Sequence, residues 1–221
     1  MAAVRGAKAF PPHPGRYLES GGLEGEWRLA LGADVRAAAA CAPLSIDLLS
    51  PDELADFRGL SDPGARRAWL TGRAALRRLR ARLGTGIGGV PENGLSIGYA
   101  EGMAVAAACI EPSGGRLGIE LAAAGTVPSC LAPFFLTRRE AEWIGNRPAA
   151  SAGSERLRLL TIKAALRKAD PGGRARLLDG YRLADPAARR GRSDAGDGGR
   201  IFRYVYHKLS GWGLSLAVSR N

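Results

Sequence analysis

The sequence predicts a mixed α+β fold, because helical and strand-like patterns both recur along its 221 residues. Apolar side chains recur at helical spacing in residues 65–83 and 157–169. Short apolar or alternating runs predict strands at residues 26–31, 43–49, 95–99, 103–110, 116–121, 201–206 and 212–218. A chain of this length with both kinds of element has enough apolar material for a sizeable core.

Two helix starts carry the same capping signal. Ser50 is followed three residues later by Glu53, and Thr137 is followed three residues later by Glu140. In this spacing the hydroxyl accepts a hydrogen bond from the backbone of the glutamate, and the carboxylate accepts one from the backbone of the cap. Both segments are therefore expected to begin helices, and Glu140 has a structural explanation in its own right.

Three segments lack a hydrophobic period. Residues 1–23 are rich in Ala, Gly and Pro and are expected to be a poorly ordered lead-in. Residues 146–153 are expected to be a loop that ends at Ser154, where the second long helix would begin. Residues 185–200 contain no apolar residue beyond alanine, glycine and proline, and they are expected to form a mobile loop.

The chain is strongly basic, with 32 Lys and Arg against 21 Asp and Glu and a formal charge of +11. Such an excess favours a polyanionic partner, namely nucleic acid, a phosphorylated cofactor or an acidic protein, although coding bias toward arginine is an alternative origin. The scarcity of aromatic residues argues against nucleic acid, which single-strand binders hold on aromatic platforms. A basic stripe on the first long helix binds phosphate or an acidic protein, or is a solvated face; it contains Arg66, Arg73, Arg77 and Arg80.

The cysteines and the hydropathy pattern indicate the compartment. Cys41, Cys109 and Cys130 are widely spaced and form no CxxC pair, so neither a disulfide framework nor a zinc site is expected. No stretch reaches the roughly 18 apolar residues of a membrane span, and the first thirty residues contain no apolar signal region. We expect a cytoplasmic protein without a membrane partner.

One carboxylate stands in an apolar setting. Glu120 follows Leu117, Gly118 and Ile119 in a predicted strand and precedes Leu121 and three alanines. A carboxylate there needs a cation or a hydrogen-bond donor, unless it reaches solvent at the end of the strand. A metal ligand, a catalytic acid and a solvated glutamate all remain open at this position.

Read in order, several segments together resemble the Sfp-type 4′-phosphopantetheinyl transferases, over about residues 49–218. The segments that carry the resemblance are LSPDELADF (49–57), RRAWLTGRAALRRL (66–79), GIEL (118–121), FFLTRRE (134–140), TIKAALRKA (161–169) and GWGLSLAV (211–218). Members of this family transfer the phosphopantetheine arm of coenzyme A to a serine of an acyl or peptidyl carrier protein, in secondary metabolism or fatty-acid synthesis.

The resemblance implies an architecture. It consists of two pseudo-symmetric α/β halves, residues 24–113 and 114–221, which meet near residues 112–115 and enclose a ligand cleft. It also implies an acidic carrier protein and coenzyme A as partners, Mg²⁺ as the metal, and a monomer.

The resemblance also implies roles for individual residues. Glu120 stands at the first acid of the family's G-[IV]-D-x-E pattern, and Glu140 at the acid of its FF[ST]xxE pattern. Both would be Mg²⁺ ligands, and both would act in catalysis together with Lys163, the lysine of the K-E-[AS] pattern.

Coenzyme A would be held by a second, overlapping set of residues. These are Arg73, Ser96, Tyr99, Lys163 and Lys168.

Four positions depart from the family pattern. Ala122 replaces the second acid of G-[IV]-D-x-E, and Ala164 replaces the glutamate of K-E-[AS]. Tyr99 stands for a histidine that would meet phosphate, and Leu160 for a tryptophan. Loss of a positioned base typically costs about 10²–10⁴ in rate. The alternatives to a transferase are therefore a pseudoenzyme that binds coenzyme A, a carrier protein or a partner enzyme, and the same fold repurposed for another reaction.

Overall fold

A first antiparallel sheet is built from the N-terminal part of the chain. The computed structural model describes residues 25–29, 33–84, 94–109, 115–125, 127–195, 200–209 and 212–219, so the expected lead-in at 1–23 lies outside the described residues. The strands of this sheet are β1 (Gly25–Leu29), β2 (Ala33–Ala40), β3 (Leu95–Ala100) and β4 (Met103–Cys109). They lie in the order β1-β2-β4-β3.

A second antiparallel sheet is built from the C-terminal part. Its strands are β5 (Arg116–Ala123), β6 (Arg182–Leu183), β7 (Arg190–Asp194), β8 (Ile201–Leu209) and β9 (Trp212–Ser219). They lie in the order β5-β9-β8-β7-β6. The chain passes from one sheet to the other between residues 109 and 116.

Within the described residues, each part contributes one short and one long α-helix. These are α1 (Pro51–Gly59), α2 (Pro63–Leu83), α3 (Arg138–Gly145) and α4 (Ala149–Ala169). Short 3₁₀ segments lie at Ile46–Leu48, Ser129–Phe134 and Leu178–Gly180. Within the ranges that the structure describes, every helix is too short or too polar to traverse a bilayer. The mixed α+β class is confirmed.

The two sheets face each other, and the two long helices cover their outer faces. Alternate residues of β2, β4, β5 and β9, such as Val105 and Ile119, form the core between the sheets. The intervening alanines of β2 and β4 pack against α2, whose contacting residues include Ala75 and Leu79. The outer face of the second sheet packs against α4, where Ile162 is fully buried. The result is a four-layer arrangement of helix, sheet, sheet and helix.

The two parts share one order of elements. In each, a strand leads to a short helix that starts with a capping box, then to a 21-residue helix, then to an antiparallel pair of strands. The last strand of the pair returns beside the first strand, as β4 does beside β2 and β9 beside β5. Strands β6 and β7 extend the second sheet only. Both capping boxes predicted from the sequence are confirmed.

Two strand predictions in the first part are corrected. Residues 43–49 were expected to form a strand but contain a 3₁₀ segment. Leu44 N donates to Leu70 O of α2 at 3.2 Å, and none of the described strands pairs with these residues. Conversely, β2 has no counterpart among the predictions. Its sequence ADVRAAAA has low strand propensity, and its pairing with β4 and β1 overrides that preference.

Two loop predictions in the second part are also wrong. Helix α4 begins at Ala149 rather than after the expected loop at 146–153, and Ser154 Oγ donates to Ser151 O inside the helix instead of capping it. The expected mobile loop at 185–200 contains β7, which pairs with β8 along five residues. The sequence of β7 has no apolar alternation that would predict a strand. It forms a strand because its backbone pairs with the edge of β8.

Candidate functional site

The edges of the two sheets meet along β3 and β5, and this seam is where most predicted site residues lie. Ser96 Oγ on β3 accepts a hydrogen bond from Ile119 N on β5 at 3.0 Å. Gly98 allows the close approach, since a Cβ there would lie 3.0 Å from Leu121 N and 3.2 Å from Glu120 Cα. The seam therefore depends on a small hydroxyl and a glycine at alternate positions of β3.

Helix α4 lies unusually close to β5 at the same place. A Cβ on Gly118 would lie 1.9 Å from Ala165 O and 2.8 Å from Ala169 N, so only glycine fits. This contact fixes the turn of α4 from Ala165 to Ala169, which contains Lys168. It brings Lys168 beside Glu120, which lies on the same face of β5 as Gly118.

Lys168 connects the two sheets through three oxygens. Its Nζ lies 2.8 Å from Ile97 O, 3.1 Å from Ile119 O and 2.9 Å from Glu120 Oε2. An ammonium has three N–H donors, so these oxygens match its donors in number. The two carbonyls belong to different sheets, and Lys168 thus holds the seam together while it neutralises Glu120.

Small side chains surround this ion pair. Ala122 lies two residues beyond Glu120 on the same face of β5, and Ala164 lies one helical turn before Lys168. Both alanines are partly exposed. The two further positions at which the resembled family carries acids therefore lie near Glu120 along β5 and near Lys168 along α4, and their side chains offer no oxygen.

Ser215 is a further residue of this neighbourhood that the sequence analysis missed. It is the cross-strand partner of Glu120 on β9, so the two side chains point to the same face of the sheet. Its Oγ is fully buried and has no hydrogen-bond partner in the part of the chain that the structure describes. Alternation along β9 could have placed Ser215 on this face, but its pairing with Glu120 follows only from the strand register.

Tyr99 lies on β3 three residues after Ser96, and Arg73 of α2 lies close to it. The Tyr99 ring packs on Gly72 of α2, where a Cβ would lie 2.4 Å from the ring. Burial raises the pKa of the Tyr99 hydroxyl, and the nearby Arg73 guanidinium opposes that rise. Tyr99 remains 37 % exposed, so its ring still presents a surface to ligands.

Arg73 is engaged by its own helix and by α1. Its guanidinium lies 4.5 Å from the centre of the Trp69 ring and within 3.8 Å of carboxylate oxygens on Glu53 and Asp56. These contacts fix the side chain between α1 and α2. Arg73 therefore lies near Tyr99, another residue of the predicted coenzyme A set. Its positive charge is already paired with the carboxylates of Glu53 and Asp56.

The other two predicted residues, Glu140 and Lys163, form a separate pair inside the core. Lys163 Nζ lies 2.5 Å from Glu140 Oε2, and the side chains are 0 % and 1 % exposed. Glu140 also accepts from Thr137 N at 2.8 Å and from Leu183 N at 3.4 Å. Burial lowers the pKa of Lys163, and the adjacent carboxylate opposes that change. This enclosure is at odds with the metal and coenzyme A contacts that the resemblance implied.

The first half contains a matching pair. Glu53, the capping glutamate of α1, contacts Arg77 at 3.4 Å, and Arg77 is the fifteenth residue of α2 just as Lys163 is of α4. Each pair joins a short helix to the long helix that follows it. The equivalence indicates that Glu140 and Lys163 maintain the packing of the second half.

The site therefore divides into a seam and a buried clasp. Ser96, Glu120 and Lys168 are linked through contacts at the seam, with Tyr99 and Arg73 nearby, whereas Glu140 and Lys163 face the core. No protein-family model and no curated protein matches this chain.

Proposed function

We propose that this protein is a divergent relative of the 4′-phosphopantetheinyl transferases that binds coenzyme A at the seam without transferring its arm efficiently. The order of the matching segments supports the relationship, as does the repeated arrangement of strand, two helices and two strands in the two parts. Two similar parts are what the resemblance implies.

The proposal that transfer is inefficient rests on one observation, the pairing of the Glu120 carboxylate. This carboxylate pairs with Lys168, and the two flanking positions that would carry acids are Ala122 and Ala164. Transfer requires a base for the serine hydroxyl and stabilisation of the charge on the phosphoryl group. A single carboxylate that is already neutralised by an ammonium serves both needs poorly.

The binding of coenzyme A is supported by charge and by the Tyr99 surface. A net charge of +11 favours a ligand that bears a diphosphate and a further phosphate. The exposed face of Tyr99 offers an aromatic surface. The ligand would lie across the seam, from this surface toward Glu120.

Calorimetry with coenzyme A and mass spectrometry of an apo carrier protein test the two halves of the proposal. We expect coenzyme A to bind, more weakly as salt rises and more weakly still when its 3′-phosphate is removed. Carrier mass should stay unchanged over a time in which a reference transferase converts the carrier completely. Absence of binding at millimolar coenzyme A would contradict the proposal.

An active transferase is the second candidate, and it is supported by Gly118 and Glu120, which match the family's G-[IV]-D segment, and by the close contact of Gly118 with α4. It predicts a complete mass shift of the carrier by the unmodified protein. The double variant Ala122→Glu with Ala164→Glu separates the candidates further. A mass shift only in that variant would mean that catalysis was lost by these two replacements, and the single variants are its matched controls.

A further inference from the structure

The seam contains a cation of its own. The family that the chain resembles binds Mg²⁺ at the position of Glu120, and Mg²⁺ needs about six oxygen ligands at roughly 2.0–2.1 Å in octahedral geometry. In this protein Glu120 Oε2 is instead 2.9 Å from Lys168 Nζ. A metal bound to the same oxygen would stand within a few ångströms of a fixed positive charge.

The remaining donors do not make up a metal site. Ala122 and Ala164 carry methyl groups at the flanking positions, and Glu140 is enclosed with Lys163 in the core. Among the residues that the structure describes, no three His, Cys, Asp or Glu side chains gather closely enough to hold a metal ion. The residues present at the seam therefore do not fit Mg²⁺.

The oxygens that surround Lys168 are those a cation would use. Two backbone carbonyls, Ile97 O at 2.8 Å and Ile119 O at 3.1 Å, share the ammonium with the carboxylate. The first belongs to β3 and the second to β5, so the bound charge also ties the two sheets together. A lysine tethered in α4 supplies that charge without any free ion.

We propose that the Lys168 ammonium replaces the divalent cation at the seam, so that the seam is held and neutralised without a metal. This proposal stands on the contacts of Lys168 and does not depend on coenzyme A binding. It accounts for alanine at both flanking positions, since further carboxylates there would have no metal to bind.

The test measures Mn²⁺ binding by electron paramagnetic resonance and thermal unfolding of the full chain, without coenzyme A. The unmodified protein should show no Mn²⁺ site that depends on Glu120, so its Mn²⁺ binding should equal that of Glu120→Gln. Its melting temperature should be the same in Mg²⁺ and in chelator. Lys168→Met should melt lower in chelator and should recover part of that loss in Mn²⁺ or Mg²⁺, because the carboxylate and two carbonyls become free to bind the ion.

Two controls make the rescue specific. Glu120→Gln combined with Lys168→Met should show no recovery, and Lys208→Met, an exposed lysine on β8, should neither lower the melting temperature markedly nor respond to metal. A Mn²⁺ site in the unmodified protein that disappears in Glu120→Gln would overturn the proposal, whether or not Lys168→Met folds. So would a Lys168→Met variant that melts like the unmodified protein in every buffer.

Discussion

The buried pair of Glu140 and Lys163 gives the sharpest prediction on stability. In Lys163→Met the apolar replacement has a similar length, but Glu140 loses its cation while it remains 1 % exposed. Two backbone donors, Thr137 N and Leu183 N, still contact the carboxylate and are too few to replace the lost charge. Removing one partner of a buried pair typically costs about 3–5 kcal/mol. We expect a loss of that size in the free energy of unfolding.

The first half supplies the matched variant. Arg77 and Glu53 occupy the equivalent positions, but their side chains are 39 % and 17 % exposed, and solvent screens their interaction. Exposed pairs contribute about 0–1 kcal/mol, so Arg77→Met should cost little. Urea denaturation followed by circular dichroism measures both variants under the same conditions.

A double variant separates the charge from the packing. In Glu140→Gln with Lys163→Met the amide oxygen can still accept from Thr137 N, as glutamine does in a capping box, and no charge stays buried. We expect the double variant to lose about 1–2 kcal/mol, less than Lys163→Met alone. The reasoning is refuted if Lys163→Met loses no more than Arg77→Met, or if the double variant loses as much as the single one.

Three further predictions concern packing, an orphan hydroxyl and alkaline pH. Gly118→Ala places a methyl group 1.9 Å from Ala165 O and should lower stability by about 1–3 kcal/mol or more, while Gly125→Ala, which meets nothing within 4 Å, should be nearly neutral in the same urea titration. Ser215→Ala removes a buried, unpaired hydroxyl and should leave the melting temperature unchanged or raise it. Burial raises the pKa of Tyr204 from 10.0 to about 12, so this residue should withdraw about 2 kcal/mol of stability between pH 10 and pH 12, because the unfolded chain ionises first. The loss measured for Tyr204→Phe over that range should be smaller by this amount.

Each of these has a plain contrary result. Equal stability of the two glycine variants would mean that α4 can shift away from β5 at no cost. A marked loss in Ser215→Ala would mean that this hydroxyl has a partner in solution, such as a bound water. An identical alkaline titration of the unmodified protein and Tyr204→Phe would assign the pH dependence to other groups.

The local elements were largely predictable from the sequence. Both capping boxes, at Ser50 and Thr137, and the apolar stripe of α4 depend on residues three or four apart, so the sequence alone specifies them. The strands β3, β4, β8 and β9 were expected as well, from short apolar or alternating runs. The alanine-rich β2 was not, because its strand conformation comes from the neighbours with which it pairs.

The geometry around the candidate site residues did not follow from the sequence. The resemblance placed Glu120, Glu140, Lys163 and Lys168 in one cleft, whereas the structure assigns them to two ion pairs. Lys163 and Lys168 are five residues apart on α4, which separates their directions by about 140°. That angle follows from the sequence, but the partner that each lysine meets does not.

The sequence by itself determined where α1 and α3 start, the basic charge of the chain, and the alanines at 122 and 164, where the resembled family carries acids. Only the tertiary structure decided what Lys168 does. Its contact with Ile97 O joins residues 71 positions apart, and such a contact exists only after two sheets have met and Gly118 has let α4 approach β5. Local propensity acts over a few residues, whereas the partner of a charge is set by the packing of the whole chain.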